Sequence, residues 1–404
     1  MTQQFEVLIV GAGPAGSALA YFLAAQGREV LLIDKADFPR DKTCGDGLTP
    51  RALSVLRTMG LLEKCAAAGF RINGLRIFAP DGTRITSPIP PWRDRPNFVL
   101  VVPRYQLDDL IRAHAGTAGA EFRPRTEATE ILRDADRILG VRANTPSGPM
   151  EFHARYTVLA TGASIALLER ANLLASPALF GRAARGYYEG VGALSDHVEF
   201  HLESIPLPGY GWVFPVSATA ANVGAGYFVK NSRHKPRNSP RQVLDEFLAN
   251  PLVAPRMAGV RVRGPIKGYP MRFDFPTARV AFPGLLMVGE AAGLVNPLTG
   301  EGIDYALESA EVAAEVIGQA LRTDSAPERT EREHTHALRA NFLRSFITTV
   351  RVRDFYFQPW VLNRAARAAN RYADFCETIV QVCLGNIDPG QGLSPKMLWQ
   401  MMVS

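Results

Sequence analysis

The chain has 404 residues, of which 47% are hydrophobic and 21% are charged, and this composition excludes a disordered chain. Its length allows two lobes, each with its own core. The net charge of +6 at pH 7 favours anionic partners such as phosphates, nucleotides or acidic lipid surfaces. No signal peptide is visible, and no apolar stretch approaches the roughly eighteen residues of a membrane-spanning helix. We therefore expect a cytoplasmic protein, with membrane contact, if any, at its periphery.

The first residues predict a nucleotide site. "FEVLIV" (residues 5–10) is typical of a buried parallel strand, and it leads into "GAGPAG" and an alanine-rich helix. Gly11 permits the tight turn, Gly13 lets the backbone approach a pyrophosphate, and Gly16 lets the helix pack on the strand. The phosphates are expected at the positive end of the helix. The predicted phosphate loop comprises Gly11, Gly13, Pro14, Ala15 and Gly16.

A second strand, "REVLLIDK" (residues 28–35), ends in Asp34 and Lys35. A carboxylate at this distance from the glycines accepts hydrogen bonds from the ribose hydroxyls of an adenosine moiety. It would repel a 2′-phosphate, so the site suits FAD or NAD better than NADP. A glycine-rich loop alone is an ordinary turn, but strand, loop, helix, strand and acid in this order indicate a dinucleotide site.

The stretch "KTCGDGLTP" (residues 42–50) places Cys44 beside Gly45. The chain has four cysteines, at positions 44, 65, 376 and 383. Their spacing contains no C-x-x-C pair and no nearby histidine pair, so we predict neither a metal site nor a disulfide framework. Cys44 is then an inert filler or a reactive group beside a positive charge such as Lys42.

Alternating short strands and turns occupy residues 69–101 and 173–270 and predict one antiparallel sheet. Within "LPGYGWVFP" (residues 207–215), Tyr210, Trp212 and Phe214 alternate on one face of a strand, as part of its core or as an aromatic wall. The segment 229–241 is rich in basic residues and lacks acids. It is expected to be a solvated loop or a contact for a phosphate or an anionic lipid.

The segment 283–317 repeats the order of strand, glycine loop and helix, which suits the far end of a long cofactor such as FAD. Residues 339–373 have a helical pattern that Pro359 should break into two helices. Basic and aromatic residues alternate there, which fits either a membrane-surface helix or packing on the nucleotide domain.

These motifs together resemble the FAD-dependent geranylgeranyl reductase family, a branch of the p-hydroxybenzoate hydroxylase-like flavoproteins. The motifs are "GAGPAG", the strand ending at Asp34, "FPRDKTCGDGLTPRAL", "VPRYQLDDLIR", "VLATGAS", "LPGYGWVFP" and "VGEAAGLVNPLTGEGIDYAL". The resemblance implies an α/β (α+β) protein with a Rossmann-like FAD-binding domain, an inserted antiparallel-sheet substrate domain and C-terminal helices. The implied bounds are 1–70, 99–172 and 271–325 for the FAD-binding domain, 71–98 and 173–270 for the substrate domain, and 326–404 for the helical region.

The resemblance also implies residue roles. Cys44, Tyr210 and Trp212 are the expected catalytic residues, with Cys44 as a proton donor or as a wall of the reaction chamber. Arg104 would approach the flavin or the pyrophosphate; its alternative role is a surface salt bridge to Asp108. The remaining cofactor contacts expected beside the phosphate loop are Asp34, Lys35, Cys44, Gly45, Gly162, Gly289, Glu290, Pro297, Gly300, Gly302 and Ile303. No metal is expected.

Two residues depart from the family pattern. Glu290 stands where the family has an aspartate that hydrogen-bonds the ribityl chain, and Thr161 stands where related monooxygenases have an aspartate involved in FAD and NADPH handling. The first departure leaves FAD affinity and flavin position open, and the second leaves direct use of NADPH open.

The implied function is FAD-dependent reduction of isolated C=C bonds, in a polyprenyl chain of a lipid or quinone. Hydride would come from reduced flavin N5, a proton from the protein, and electrons from NAD(P)H or another external donor. The expected partner is a hydrophobic small molecule, and no nucleic acid. The alternatives are a flavin-dependent monooxygenase or halogenase, and a non-catalytic flavin- or lipid-binding module.

Overall fold

The computed structural model describes residues 2–174, 179–229 and 238–404. The strands are β1 Thr2–Val10, β2 Val30–Ile33, β3 Gly47–Leu48, β4 Phe70–Ile72, β5 Gly74–Phe78, β6 Arg84–Pro88, β7 Val99–Val101, β8 Glu121–Arg123, β9 Glu127–Asp134, β10 Arg137–Thr145, β11 Gly148–Leu159, β12 Phe180–Glu189, β13 His197–His201, β14 Gly209–Pro215, β15 Ala220–Tyr227, β16 Arg261–Arg272, β17 Ala281–Phe282 and β18 Leu285–Met287. The α-helices are α1 Pro14–Ala24, α2 Pro50–Thr58, α3 Leu62–Ala68, α4 Arg104–Thr117, α5 Ala166–Arg170, α6 Pro240–Leu248, α7 Ile303–Arg322, α8 Pro327–Tyr356, α9 Pro359–Arg371, α10 Ala373–Cys383 and α11 Pro395–Met402.

The larger sheet has the order β17-β18-β11-β1-β2-β8, with β10 and β9 attached to β11. The pairings β18–β11, β11–β1, β1–β2 and β2–β8 are parallel. Helices α1 and α7 cover one face, and their apolar residues form one core with β1 and β2. Because both faces are covered, β1 and β2 are almost continuously apolar, which is why the sequence predicted a buried parallel strand there.

The second sheet has the order β16-β12-β15-β14-β13-β5-β6 and is antiparallel except where β13 runs parallel to β5. Its strands come from residues 74–88 and 180–272, the two regions in which the sequence alternates strands and turns. A third, smaller sheet has the order β3-β7-β4. The α/β architecture with a Rossmann-type domain and a helical C-terminal region is confirmed, whereas the exact domain boundaries stay a prediction.

The C-terminal helices pack on both sheets. Helix α8 buries Leu338, Phe342 and Phe346 in a core shared with the larger sheet. Helices α9 and α10 bury Ala366 and Phe375, among others, against the second sheet. The break at Pro359 is confirmed, since α8 ends at Tyr356 and α9 begins at Pro359.

Two further expectations concern the surface. Of the basic segment 229–241, residues 230–237 lie outside the described residues. None of the described helices combines the length and apolarity that crossing a membrane requires.

Candidate functional site

A cavity of about 760 Å³ lies between the larger sheet and the second sheet. Ligand pockets of roughly 300–1,000 Å³ are usual for cofactors and small molecules. The sequence-predicted residues that line it are Gly11, Gly13, Pro14, Ala15, Asp34, Lys35, Cys44, Gly45, Arg104, Gly162, Tyr210, Trp212, Glu290, Gly300, Gly302 and Ile303. Gly16, Gly289 and Pro297 are not among the lining residues. The fold thus gathers residues from most of the chain around one space.

The phosphate loop is made of backbone. Gly11 has a φ of +107°, and a Cβ there would lie 2.4 Å from the carbonyl oxygen of Ala160. A Cβ on Gly16 would lie 1.9 Å from the carbonyl oxygen of Gly11, so Gly16 shapes the loop from behind. Gly13, in contrast, faces open space, with the nearest atom, Nη2 of Arg40, at 3.7 Å. No side chain caps the start of α1, which leaves its first amides available to an anion.

Asp34 already supports this loop. Its Oδ2 accepts a hydrogen bond of 2.8 Å from the amide of Ala12, and its Oδ1 accepts one of 2.9 Å from the amide of Ala36. A carboxylate can accept about four hydrogen bonds, so capacity remains for ribose hydroxyls. The bond to Ala12 was not predicted from the sequence.

Arg104 lines the cavity and also forms the salt bridge to Asp108 that was its alternative role. It forms a two-pronged hydrogen bond to Asp108, at 2.5 and 2.8 Å, but both side chains are buried rather than exposed. Arg40 donates a third bond of 3.0 Å to the same carboxylate. Burial alone would lower the pKa of Arg104. The charge of Asp108 and the nearby Cys44 raise the pKa by more than burial lowers it, so the net shift is upward. Arg104 therefore carries a permanent charge against the Cys44 thiol.

Cys44 lies on a loop that several side chains hold. The Nδ2 of Asn222 donates to the carbonyl of Cys44 at 2.7 Å and to Oδ2 of Asp46 at 2.8 Å. Its Oδ1 accepts from Nε1 of Trp212 at 2.9 Å. Asn222 thus fixes Cys44 and Trp212 relative to each other, a role without any local signal in the sequence. Arg104 is a positive group near Cys44, which contributes to the upward shift of the Arg104 pKa.

Asp46 is fully buried and also accepts a hydrogen bond from the hydroxyl of Tyr187. Burial raises the pKa of Asp46 to about 6, although Tyr187, Asn222 and Arg185 each oppose the shift. Arg185, itself buried, donates to Oδ1 of Asp41 at 2.6 Å and to the carbonyl of Lys42 at 3.1 Å. The loop at 41–46 is therefore attached to the second sheet by hydrogen bonds along its length.

Tyr210, Trp212 and Phe214 all line the cavity, and Trp212 and Phe214 also belong to the core of the second sheet. The ring centroids of Tyr210 and Trp212 are 5.9 Å apart, and those of Trp212 and Phe214 are 6.3 Å apart. Phe228, Met271 and Val295 continue the apolar surface. This end of the cavity can hold a hydrophobic ligand.

Glu290 connects separate segments at the cavity. Its Oε1 accepts a hydrogen bond of 3.0 Å from the amide of Arg272, and its Oε2 lies 3.6 Å from Nζ of Lys42. The ammonium of Lys42 also sits 4.6 Å from the ring centroid of Tyr269. The longer side chain of glutamate is used to reach these groups. Thr161 lines the cavity and donates to the carbonyl of Ser164 at 2.9 Å.

The charges of the lining suit an anionic cofactor. The cationic lining residues are Lys35, Arg40, Lys42, Arg104, Arg170 and Lys267, and the anionic ones are Asp34, Asp41, Glu127 and Glu290. The N-terminus of α1 has no side-chain cap, and Gly13 leaves open a space that a larger side chain would fill. The residues therefore fit FAD. Among the described residues, no group of three or more His, Cys, Asp or Glu side chains is arranged to hold a metal ion.

Comparison with known proteins agrees with this site. A family model described as an FAD binding domain matches residues 4–177. The menaquinone reductase of Mycolicibacterium smegmatis is 34% identical over 80% of this chain and 79% of its own length. Digeranylgeranylglycerophospholipid reductase 1 of Methanopyrus kandleri is 31% identical over 80% of this chain and 82% of its own length.

Among solved structures, a geranylgeranyl bacteriochlorophyll reductase-like protein of Thermoplasma acidophilum has a TM-score of 0.83 at 22% identity, with all of both chains covered. At that identity the likeness shows the fold alone. Flavin-dependent halogenases also have this fold. The fold therefore leaves reduction and oxygenation to be distinguished by the site and by the sequence relatives.

Proposed function

The chain belongs to the geranylgeranyl reductase family of FAD-dependent oxidoreductases, and on that premise we propose that it reduces isolated C=C bonds in a polyprenyl chain. The observation that carries the proposal is a single cavity with a phosphate loop at one end and an apolar aromatic wall at the other. Relatives named for menaquinone and for a digeranylgeranyl lipid support a hydrophobic, prenyl-bearing substrate.

Alkene reduction requires a hydride on one carbon and a proton on the other, and bound FAD, once reduced, supplies the hydride. The protein must orient the alkene, exclude water and deliver the proton. Trp212, Phe214 and Phe228 supply the apolar contacts. Cys44 is the proposed proton donor, since it lines the cavity beside the aromatic wall.

The test is anaerobic mixing of reduced, FAD-loaded protein with polyprenyl quinones and lipids while flavin absorbance is followed. Reoxidation by a prenyl lipid that has no quinone ring, or by a prenyl quinone whose product gains two hydrogen atoms in the prenyl chain, supports reduction of the chain, whereas reoxidation with reduction of the quinone ring contradicts it. Reoxidation only in air, with an oxygenated product, supports the monooxygenase alternative, and no substrate-dependent reoxidation supports the non-catalytic module.

Variants at Cys44 separate its two proposed roles. Cys44→Ser keeps a protic group and Cys44→Ala removes it, so a proton donor predicts a larger loss of rate for alanine. If both variants turn over as the wild type does, with FAD bound, Cys44 is only part of the wall. Cys65→Ala is the matched control, because Cys65 is buried in the core of the larger sheet and does not line the cavity.

The electron donor is proposed to be a nicotinamide cofactor or an external reductant. Lys42, Lys267 and Arg40 line the cavity and could meet a phosphate, whereas Thr161 lacks the carboxylate of the related monooxygenases. Comparing flavin reduction by NADH, NADPH and dithionite distinguishes these donors. Rapid reduction by NADPH would support direct use, and reduction by dithionite alone would support an external donor.

A peripheral membrane contact is proposed for the exposed face of α9. Trp360 is 66% exposed, and Arg364 and Arg371, four and eleven residues later, lie on the same side of the helix. Their guanidinium groups donate to the carbonyls of Met402 and Val403, which are also exposed. An exposed apolar surface with arginines suits an anionic bilayer.

Sedimentation with vesicles of neutral or anionic lipid tests this contact. We expect binding that depends on anionic lipid and that falls in Trp360→Ser, while Tyr105→Ser, which changes an exposed aromatic residue on α4, leaves it unchanged. Equal sedimentation of both variants, or none for the wild type, would contradict the proposal.

A further inference from the structure

One strand of the second sheet holds both ends of the loop at 41–46. Arg185 and Tyr187 are two residues apart on β12 and therefore lie on the same face of the strand. Arg185 donates a hydrogen bond of 2.6 Å to Asp41, and its guanidinium carbon lies 4.5 Å from the ring centroid of Tyr187. The hydroxyl of Tyr187 donates to Oδ2 of Asp46. The two side chains thus attach the start and the end of the loop to β12.

Asp46 occupies a constrained position in this loop. It is fully buried, and its φ of +67° lies in the left-handed region that residues other than glycine rarely adopt. Its carbonyl accepts a hydrogen bond of 3.0 Å from the amide of Val102, two residues before Arg104. Its Oδ2 accepts from Tyr187 and from Asn222, whereas its Oδ1 has no hydrogen-bond partner among the described residues. One carboxylate oxygen therefore joins the loop to β12 and β15.

Asn222 connects Asp46 to the groups that line the cavity. Its amide nitrogen donates to Asp46 and to the carbonyl of Cys44, and its amide oxygen accepts from the indole of Trp212. An ionised carboxylate only accepts hydrogen bonds, so it fixes which end of the amide faces the loop. If the amide turned around, its oxygen would face two acceptors and its nitrogen would face the indole N–H. The ionised form of Asp46 therefore holds Asn222 in the orientation that binds both Cys44 and Trp212.

We infer that Tyr187 and Asp46 are positioning residues for the reduction of the prenyl chain. Through Asn222 they hold the backbone of Cys44 and the indole of Trp212 where these groups meet the alkene. This rests on the proposed function. Neither Tyr187 nor Asp46 lines the cavity, whereas Cys44 and Trp212 do, so the pair acts through groups that can touch the substrate.

Tyr187→Phe tests this role because it removes only the hydroxyl that donates to Asp46. Tyr188→Phe is the matched control on the same strand, since the buried hydroxyl of Tyr188 has no hydrogen-bond partner among the described residues and its ring packs in a separate core. We expect kcat for substrate-dependent flavin reoxidation to fall about tenfold in Tyr187→Phe, because small displacements of reacting groups cost this much. KM and FAD affinity should stay within about twofold, because the cavity lining is unchanged. Equal kcat values in the two variants overturn the inference.

The pH profile separates positioning from a general loss of stability. Burial raises the pKa of Asp46 to about 6, and the groups that oppose this shift are Tyr187, Asn222, Arg185 and Arg104. Loss of the hydrogen bond from Tyr187 removes one opposing effect, so the pKa of Asp46 should rise further. Because positioning uses the ionised carboxylate, the fall of kcat on acidification should begin at a higher pH in Tyr187→Phe and stay in place in the control. An unmoved acid limb overturns the inference.

Alkylation of Cys44 by iodoacetamide in the FAD-free protein, followed by peptide mass spectrometry, provides a readout without turnover. We expect several-fold faster alkylation in Tyr187→Phe than in the wild type or the control, because the loop loses a hydrogen bond. The rate at Cys65, which is buried in the core of the larger sheet, should not change. Equal rates at Cys44 in all three proteins, or a parallel rise at Cys65, overturn the inference. If the wild type reduces no prenyl alkene, the proposed function and the role in turnover both fail, while alkylation still decides whether Tyr187 holds the loop.

Discussion

The two ends of the cavity are built in different ways. The phosphate end uses backbone atoms of one continuous motif, whose glycines permit turns and close approach. The end that carries Cys44 uses side chains from separate strands, with Asn222 bonded to a loop 178 residues earlier in the chain. A dinucleotide site can therefore be recognised locally, whereas the chemistry beside it depends on contacts that only the folded chain creates.

The largest effect is expected at the backbone-built end. In Gly16→Ala the new Cβ would lie 1.9 Å from the carbonyl oxygen of Gly11, which cannot move without distorting the loop. We expect loss of measurable FAD binding and a lower melting temperature, by fluorescence titration and thermal unfolding. Gly116→Ala, on α4 with no atom within 4 Å of the new Cβ, is the control and should behave as the wild type. Normal FAD affinity in Gly16→Ala would contradict the close-packing argument.

At the side-chain-built end, Asn222→Leu should have the next largest effect. It leaves the indole N–H of Trp212 unpaired and removes a donor from the carboxylate of Asp46, at a cost of about 2–4 kcal/mol in the free energy of unfolding. We expect turnover to fall while FAD affinity changes little. Denaturation measures the loss of stability, substrate-dependent flavin reoxidation measures turnover, and FAD titration measures affinity. Equal losses of FAD affinity and turnover would show that the two ends are not independent.

A smaller effect concerns the pH dependence of stability. The pKa of Asp46 is raised to about 6 in the folded state, so between about pH 4 and 6 the folded protein holds a proton that the unfolded chain releases. Stability should therefore fall as pH rises through this window, by up to about 3 kcal/mol from this group. Asp46→Asn should flatten that part of the curve in urea unfolding at several pH values. An unchanged slope would show that Asp46 titrates normally.

The smallest effect is expected where both ends meet. Glu290→Asp shortens a side chain that reaches the amide of Arg272 and approaches Lys42. We expect a change in FAD affinity of less than about tenfold, because only one hydrogen bond and one partly exposed ion pair are altered. Calorimetric titration with FAD measures it. A complete loss of binding would make Glu290 a principal cofactor ligand and would weaken the contrast between the two ends.

These differences explain what the sequence could predict. The strand–glycine–strand pattern indicated the phosphate end, because apolar periodicity and glycine spacing are local. Gly16 was expected among the cofactor contacts, but it supports Gly11 from behind. Asn222, Asp46 and the buried pairing of Arg104 were missed because single polar residues in strands and loops carry no local sign of burial. The spacing of the cysteines could not decide whether Cys44 is an inert filler or a reactive group. Only the family resemblance predicted that Cys44 belongs to the reaction chamber.

The central claim, reduction of a prenyl double bond in this cavity, is tested most directly by the mass of the product formed anaerobically from a polyprenyl substrate by reduced, FAD-loaded protein. The account predicts a gain of two hydrogen atoms, which fragmentation locates in the prenyl chain. A product that forms only in air and gains one oxygen atom, or a gain located in a quinone ring, would contradict it.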